Sequence, residues 1–585
     1  MLSLKIIIFL VLLLFGIEGT ADAAGLQMEI ISPMQRVFPS TSVVAKKKPV
    51  IELWAARNEY ESFQIAIQSD QEVTINEVET SDLTNISNGE VQSGKNFSYR
   101  FPGYVFLEKN TDKTPTTELD GKAPGMFPDP FEEGSTLKFT GTRSLWGTWY
   151  VPRGTKPGDY GGELVIHTSS GMMQIKVLLH VWGFTLPEKP SLYVTNWLHT
   201  SQIEKWYRVK RGSAEYWEII DKIAQDMIAH RQNVIFTPLN LIRSTQAADG
   251  SFSFDFSDYE KWVNIFLHRG FQVFEGSHLF HSRNSYDIRL HAGLSAKSVE
   301  FGEKELATPK GQKFLQTFLE ALQHENLRLG IQGKYLQHIA DEASPEKVPL
   351  YREVATLVQL KMPGVAIIDA TELPEETRIG MMDIPVTMMG KPVSKTARGT
   401  GAQWGKWWYT SVAHKGKLPN RFIDYPLIKI RMIPWLTWRA GMSGYLHYAY
   451  NWWYTPSGKS LWEDVTQSGS YPPGDGFVVY PPQVNRERSL ISSLRWEAFR
   501  DGLEDYEYLN LLDQWNRKVE GKNNSVQFES PVCEKLGDQS AALLKEIRTE
   551  VVNTESYPRD PEVVHRIRRR IGGTLDRMAQ CMSDN

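Results

Sequence analysis

Asp341 and Glu342 stand side by side at the end of the short run Tyr335-Leu336-Gln337-His338-Ile339-Ala340. The run has a strand's length, with Gly333 before it and a Ser344-Pro345 turn after it. Two carboxyl groups at the mouth of a strand can divide labour, one as a proton donor and one as a fixed negative charge. Cleavage of a glycosidic bond needs that combination, because the leaving oxygen must be protonated while positive charge grows on the sugar. Most Asp-Glu dipeptides are solvated loop charges, so this pair gains meaning only from the elements that present it.

Those elements fall into three textures. From about 27 to 187 the chain alternates with period two, as in Glu61-Ser62-Phe63-Gln64-Ile65-Ala66-Ile67 and Gly162-Glu163-Leu164-Val165-Ile166-His167. Pro and Gly punctuate these runs, which predicts an N-terminal β-sandwich over 24–187, ending at the linker Leu186-Pro187-Glu188-Lys189-Pro190. Strand-like runs then alternate with helical patterns. Strands are expected at 192–196, 233–237, 271–275, 335–340, 365–369, 383–387, 404–410 and 444–450. Helices are expected between several of them, including Glu215 to His230 and Pro426 to Ala440. This is the pattern of a (β/α)8 TIM-type barrel over 191–485. Residues 486–585 read as a helical extension packing on the barrel. In its first helix Leu494, Trp496, Phe499, Leu503, Tyr506, Leu509 and Leu512 form one apolar stripe, with Arg500, Asp501, Glu504 and Glu507 largely on other faces.

Composition narrows the function further. Among 585 residues, 65 Lys+Arg against 69 Asp+Glu give a net charge of -4, so no polycationic surface points to nucleic acid. Eighteen Trp and 23 Tyr fit either large cores or stacking on the apolar faces of sugar rings. Lys5, the apolar run Ile6 to Phe15 and the small residues Ala21-Asp22-Ala23 read as a secretory signal over 1–23, so a secreted or periplasmic protein without an integral membrane segment is expected. The two cysteines, Cys533 and Cys581, would meet across a helical hairpin, as a disulfide or as two buried thiols.

Reactive groups of such a barrel sit at the C-terminal ends of its strands. Reading those ends gives Asn196 and His199, Asn233, Glu275 and His278, Asp369 and Glu372, Trp408 and Tyr409, and Asn451 and Trp452, besides the acid pair. Of these, Tyr409, Trp408, Trp452, Asn451, His278, Glu275 and Asn233 are the candidate sugar-binding groups. His278 and His281 make a poor zinc signal without a nearby carboxylate motif, so no metal is expected. There is no Walker loop, no Gly-x-Gly-x-x-Gly after a strand and no Gly-x-Ser-x-Gly elbow, and no cofactor is expected.

Five segments carry a family resemblance. They are Ala55 to Phe63, His338 to Glu342, Asn420-Arg421-Phe422-Ile423-Asp424, Gly444-Tyr445-Leu446-His447-Tyr448, and the long block Arg495 to Tyr508. Through them nearly all of the mature chain resembles glycoside hydrolase family 123, the N-acetyl-β-galactosaminidases. The resemblance implies an exo-acting, retaining hydrolase of terminal β-linked N-acetylhexosamine in which the substrate's own 2-acetamido oxygen attacks the anomeric carbon to form an oxazolinium. By the same resemblance Glu342 is the general acid/base, and Asp341 orients the acetamido N–H and offsets the growing charge. The expected split keeps Asp341 ionised and Glu342 protonated near neutral pH. Ala343 departs from the family pattern, in which proline often follows the pair directly. A hydrolase of the same fold acting on another glycan, and a non-catalytic glycan-binding protein, are the alternatives.

Overall fold

The computed structural model describes residues 25–44, 48–280, 289–291, 298–300, 308–391, 403–455, 460–463, 465–466, 471–483, 489–522, 531–550 and 556–583. The expected secretory signal and the second histidine of the weak zinc pattern, His281, lie outside them.

The N-terminal strands form one continuous nine-stranded sheet, with a separate two-stranded pair, Pro102–Leu107 and Gly125–Phe131. Continuity comes from a single 22-residue strand, Glu59–Thr80, which pairs with Leu26–Ile31, Leu137–Val151 and Gly158–Thr168 at different points along its length. Alternate residues of these strands, such as Phe63, Ile65 and Ile67, share one core with Leu164, Ile166, Ile175 and Val177. The period-two pattern is the trace of that shared core.

Eight parallel strands follow: Tyr193–Asn196, Val234–Thr237, Val273–Gly276, Tyr335–Gln337, Ala366–Ala370, Ile384–Met388, Trp407–Thr410 and Gly444–His447. They hydrogen-bond in the order one, eight, seven, six, five, four, three, two, a barrel with one seam. All eight coincide with the expected runs. At the seam, strands one and two are joined by side chains instead of a ladder. Asn233 Oδ1 accepts from Val194 N at 2.8 Å, and Asn196 Nδ2 donates to Gln232 Oε1 at 2.9 Å. Val234, Val273, Leu336, Ile368, Ile384, Val386, Trp407 and Tyr409 fill the interior. Gly444 makes room there, since a Cβ at that position would lie 2.0 Å from the Trp407 indole.

Three long helices, Leu494–Lys522, Pro531–Glu550 and Pro561–Ser583, complete the fold. Cys581 is disulfide-bonded. The first of these helices corrects the amphipathic reading. Every residue from Ile491 to Leu509 is buried, charged ones included. Gly502 lets the helix approach Leu427–Arg439 so closely that a Cβ would meet Arg431 O at 2.5 Å. The faces that looked solvated in sequence instead meet cations from other parts of the chain. Asp505 takes a two-pronged contact from Arg431, Nε at 2.7 Å and Nη2 at 2.9 Å, and a hydrogen bond from Trp435 Nε1 at 2.9 Å. Arg568 of the last helix lies 2.9 Å from Asp505 and 2.9 Å from Glu61, and also contacts Glu59. Glu504 takes Arg231 Nε at 3.1 Å, and Glu497 is paired with Arg100, His230 and Arg500.

Removing one member of such a set leaves its partners charged and dry, which costs far more than an exposed pair. Replacing Arg568 with Met should therefore destabilise the protein by ~3–5 kcal/mol. Replacing Lys138, whose bridge to Glu72 has both side chains 64% exposed, should cost under ~1 kcal/mol. Urea unfolding midpoints of the two variants check this; similar losses would contradict the difference.

Candidate active site

The fourth barrel strand leaves its ladder early. Its last pairing with strand five is Gln337↔Ile367; His338 and Ile339 then keep backbone bonds to the chain that continues strand three, His338 N to Gly276 O at 3.2 Å and Phe280 N to Ile339 O at 2.9 Å, before the acid pair. Glu342 has φ +43°, a left-handed conformation that an ordinary side chain adopts only under constraint, and its N–H donates to Ala370 O at 3.1 Å. This turn separates the two acids. Asp341 is half-buried, while Glu342 is exposed and accepts a short hydrogen bond from the Tyr409 hydroxyl of strand seven. That contact draws together residues from opposite sides of the barrel mouth. Burial and the bond to Glu342 hold the Tyr409 phenol well above its usual range.

Asp341 departs from expectation. Burial first, then the negative charges of Glu342 and Asp369, push its carboxyl up to about 7, with His338 opposing. Asp341 thus keeps its proton to higher pH than an ordinary carboxyl, where full ionisation near neutral pH was expected of it.

Beneath the pair lies a buried polar layer. His338 Nδ1 is 2.9 Å from Asp369 Oδ1, and His338 Nε2 is 3.8 Å from Glu275 Oε1. Thr195 donates to Glu275 Oε2 at 2.8 Å. Asp369 Oδ2 accepts from Ile339 N at 2.9 Å, Ala340 N at 3.3 Å and the Tyr351 hydroxyl at 2.5 Å. Burial alone would push the His338 imidazole down. Its bonds and charge contacts with Asp369 and Glu275 outweigh that and hold it up at about 9. His278, Trp197 and Phe236 pack their rings around it, with centroids 4.7, 5.6 and 5.9 Å away.

The other foreseen residues divide clearly. Glu275 and His278 belong to this buried layer and support the mouth without lining it; His278 Nε2 is 3.8 Å from Asp369 Oδ1. Trp452 is half-buried at the end of strand eight, with the His199 ring edge-on at 4.7 Å and the exposed Tyr454 ring 5.6 Å away. Asn451 is buried and ties loops together, accepting from His199 N at 2.8 Å. Asn233 precedes its strand, at the end of the barrel away from the acids, where it closes the seam and bonds Leu192 O at 3.0 Å. Trp408 faces the outer helices, donating from Nε1 to Thr437 Oγ1 at 3.0 Å, because it alternates with the inward Trp407 and Tyr409. Neither Asn233 nor Trp408 reaches the mouth. His338 and Tyr351 were missed as site residues. His338 lies inside the motif that carries the acid pair, whereas nothing local marks Tyr351, a helix residue 18 positions from Asp369.

Among the described residues, His278, His338 and Asp369 form the cluster whose ligand atoms, within 4.8 Å of one another, come nearest to a cation site. The direct His338–Asp369 hydrogen bond pairs those two atoms with each other as donor and acceptor.

The family description "Glycoside hydrolase 123, catalytic domain" matches residues 197–512, and "Glycoside hydrolase 123 N-terminal domain" matches 36–168. No curated protein matches the sequence. Among solved structures, a family 123 glycoside hydrolase from Clostridium perfringens, described in connection with glycolipid glycan hydrolysis, superposes with a TM-score of 0.72. It is 14% identical, over 95% of this chain and 99% of that one. A β-glucuronidase from Parabacteroides merdae shares 10% identity over 83% of this chain and 51% of its own, with a TM-score of 0.28, too low to support any comparison.

The raised Asp341 carboxyl has a consequence for stability. Folded Asp341 still holds its proton after the unfolded chain has released it, so its ionisation costs stability as pH rises from about 4 to about 7. Asp341→Asn removes that cost. Its melting temperature relative to the native protein should improve across this window and level off above it. A difference that stays constant with pH would contradict the raised carboxyl.

Proposed function

Because the chain belongs to glycoside hydrolase family 123, we propose that it is an exported exo-β-N-acetylgalactosaminidase working with retention through the 2-acetamido group of its substrate. The observation that carries this reading is the divergence of two adjacent acids at the barrel mouth, one exposed and one half-buried. Glu342, exposed and hydrogen-bonded to Tyr409, is free to reach a leaving oxygen. Asp341, recessed beside it, suits the acetamido group.

The raised carboxyl of Asp341 fits this division. Ionising a recessed carboxyl beside another acid is unfavourable until a donor arrives. The acetamido N–H is such a donor, and positive charge growing in the ring-closed intermediate favours the ionised form further. Substrate binding thus supplies the interaction that burial withholds. The proton displaced from Asp341 passes to the adjacent Glu342; attack by the carbonyl oxygen then forms the new bond at C1 as the glycosidic C–O bond breaks, and Glu342 gives that proton to the departing oxygen. Water then opens the oxazolinium with Glu342 as base, restoring the acid. Terminal β-linked N-acetylhexosamine on a glycan or glycolipid is the proposed substrate class, in keeping with the description of the Clostridium perfringens enzyme.

Chromogenic β-GalNAc, β-GlcNAc and β-Gal glycosides should separate the readings, with turnover expected only for the acetamido sugars. Within the preferred sugar, turnover should fall steadily from N-acetyl through N-fluoroacetyl and N-difluoroacetyl to N-trifluoroacetyl. A flat series, or a sugar trapped covalently on a side chain, would rule out substrate assistance. Binding of the sugars without turnover would leave a lectin-like protein.

Glu342→Gln keeps the size and loses the transferable proton. Hydrolysis of glycosides with poor leaving groups should drop by about 10²–10⁴-fold, and aryl glycosides with good leaving groups should suffer much less. Equal losses on both would remove Glu342 from the role of acid.

A further inference from the structure

The stretch His338-Ile339-Ala340 has left the ladder with strand five yet is buried throughout; its other edge still bonds the chain that continues strand three, with His338 N donating to Gly276 O at 3.2 Å and Phe280 N to Ile339 O at 2.9 Å. Unpaired backbone N–H groups in such a place are costly. For Ile339 and Ala340, on the edge that faces strand five, the acceptor is one carboxylate. Asp369 Oδ2 takes the N–H groups of Ile339 and Ala340, Oδ1 takes the ring of His338, and the hydrogen bond from Glu342 N to the carbonyl of the next residue, Ala370, finishes the docking. A side chain of strand five thus replaces the ladder that strand five would otherwise offer through its backbone. It receives three consecutive residues, and the two that follow them are the acids.

Asp369 is held in turn. It shares a strand face with Ile367, which packs in the outer layer, and the hydroxyl of Tyr351 from the helix Val348–Lys361 reaches it there at 2.5 Å. His338, on its other side, faces Glu275, which is fixed by Thr195 of strand one. The chain of contacts crosses strands one, three, four and five and ends on a helix.

We propose that Asp369, clamped by Tyr351 and His338, is the positioning residue that sets the separation and direction of Asp341 and Glu342, and so acts on turnover without touching the substrate. The proposal rests on the acetamido-hydrolase reading for its kinetic consequence alone; its structural consequence stands without it. If Asp369 lets go, the N–H groups of Ile339 and Ala340 and the ring of His338 lose their acceptor, and the strained turn at Glu342 loses a constraint that maintains it. Misplacement of about 1 Å at a reacting group can cost about 100-fold in rate.

The test uses the full chain with Asp369→Asn, Asp369→Ala and Tyr351→Phe. With an aryl 2-acetamido-2-deoxy-β-galactoside, kcat should fall about 100-fold in the Asp369 variants and less in Tyr351→Phe. KM should stay within about threefold of native, as expected when a transition-state contact alone is lost. Hydrogen–deuterium exchange of the peptide spanning 338–343 should accelerate in Asp369→Ala, while peptides from strand Ile384–Met388 exchange as in the native protein. Tyr351→Phe removes a single hydroxyl and keeps the ring, so it covers the case in which both Asp369 variants fail to fold. Native-like kcat in folded variants, a rise in KM alone, or unchanged exchange over 338–343 would overturn the proposal. A native protein with no turnover of any acetamido glycoside would instead overturn the functional reading, and the exchange measurement would still decide the positioning role.

Discussion

Charge buried on the helix Leu494–Lys522 is the constraint on which the rest of the molecule depends. Taking a carboxylate out of water costs several kcal/mol unless a cation with good geometry meets it. Here the cations come from every part of the chain: Arg100 from the strand-rich domain, Arg231 and Arg431 from the barrel layer, and Arg568 from the last helix. Burial works against the Asp505 carboxylate, but the charge and hydrogen bonds of Arg431 and the charge of Arg568 prevail and hold it below the usual range. Such a lattice is favourable only when all of its members are present. The strand-rich domain, the barrel and the terminal helices are therefore fixed to one another by chemistry that none could satisfy alone.

A fixed outer wall allows a strained mouth. A residue held at positive φ without being glycine costs ~1–3 kcal/mol and persists only where its surroundings over-determine it. Glu342 is such a residue. Its surroundings are the Ala370 carbonyl, the buried Ala343 that follows it, and the backbone before it, docked on the Asp369 side chain where the ladder with strand five has ended. Tyr409 then spans the mouth from strand seven, a position set by the alternation that turns Trp407 and Tyr409 inward and Trp408 outward. The acids are presented by departures from regular structure, and the regular barrel makes those departures affordable.

The same density of acids governs the electrostatics. Asp341, Glu342 and Asp369 lie close enough for the carboxyl of Asp341 to be raised, and His338 supplies the nearest opposing charge. A carboxyl in this arrangement ionises less readily than an ordinary one, and a hydrogen-bond donor beside it would favour the ionised form. That suits a reaction in which positive charge appears on the substrate and must be met by a carboxylate at that moment.

Much of this was legible in the chain. Period-two runs marked the first domain, and the alternation of apolar runs with helical stripes placed all eight barrel strands, because burial on both faces leaves a dense local signal. The acid pair was visible for the same reason: a strand end bounded by glycine and proline is a local feature. What tertiary structure alone decided was direction and partnership. Asn233 sits beside an apolar run just as a site residue would, and only the chain's direction through the barrel puts it at the far end. Trp408 and Tyr409 are neighbours of similar chemistry, separated by which face the sheet gives each. Arg500, Asp501, Glu504 and Glu507 look solvated in a helical projection, since their partners lie hundreds of residues away or in another domain. The proton on Asp341 is of the same kind. Residue type gives a carboxyl its ordinary affinity, but the burial and charges that shift it are assembled where two strands end side by side. Local sequence fixes what short-range periodicity and turn chemistry can encode. The field at a buried atom is a sum over the whole fold, and only the fold determines it.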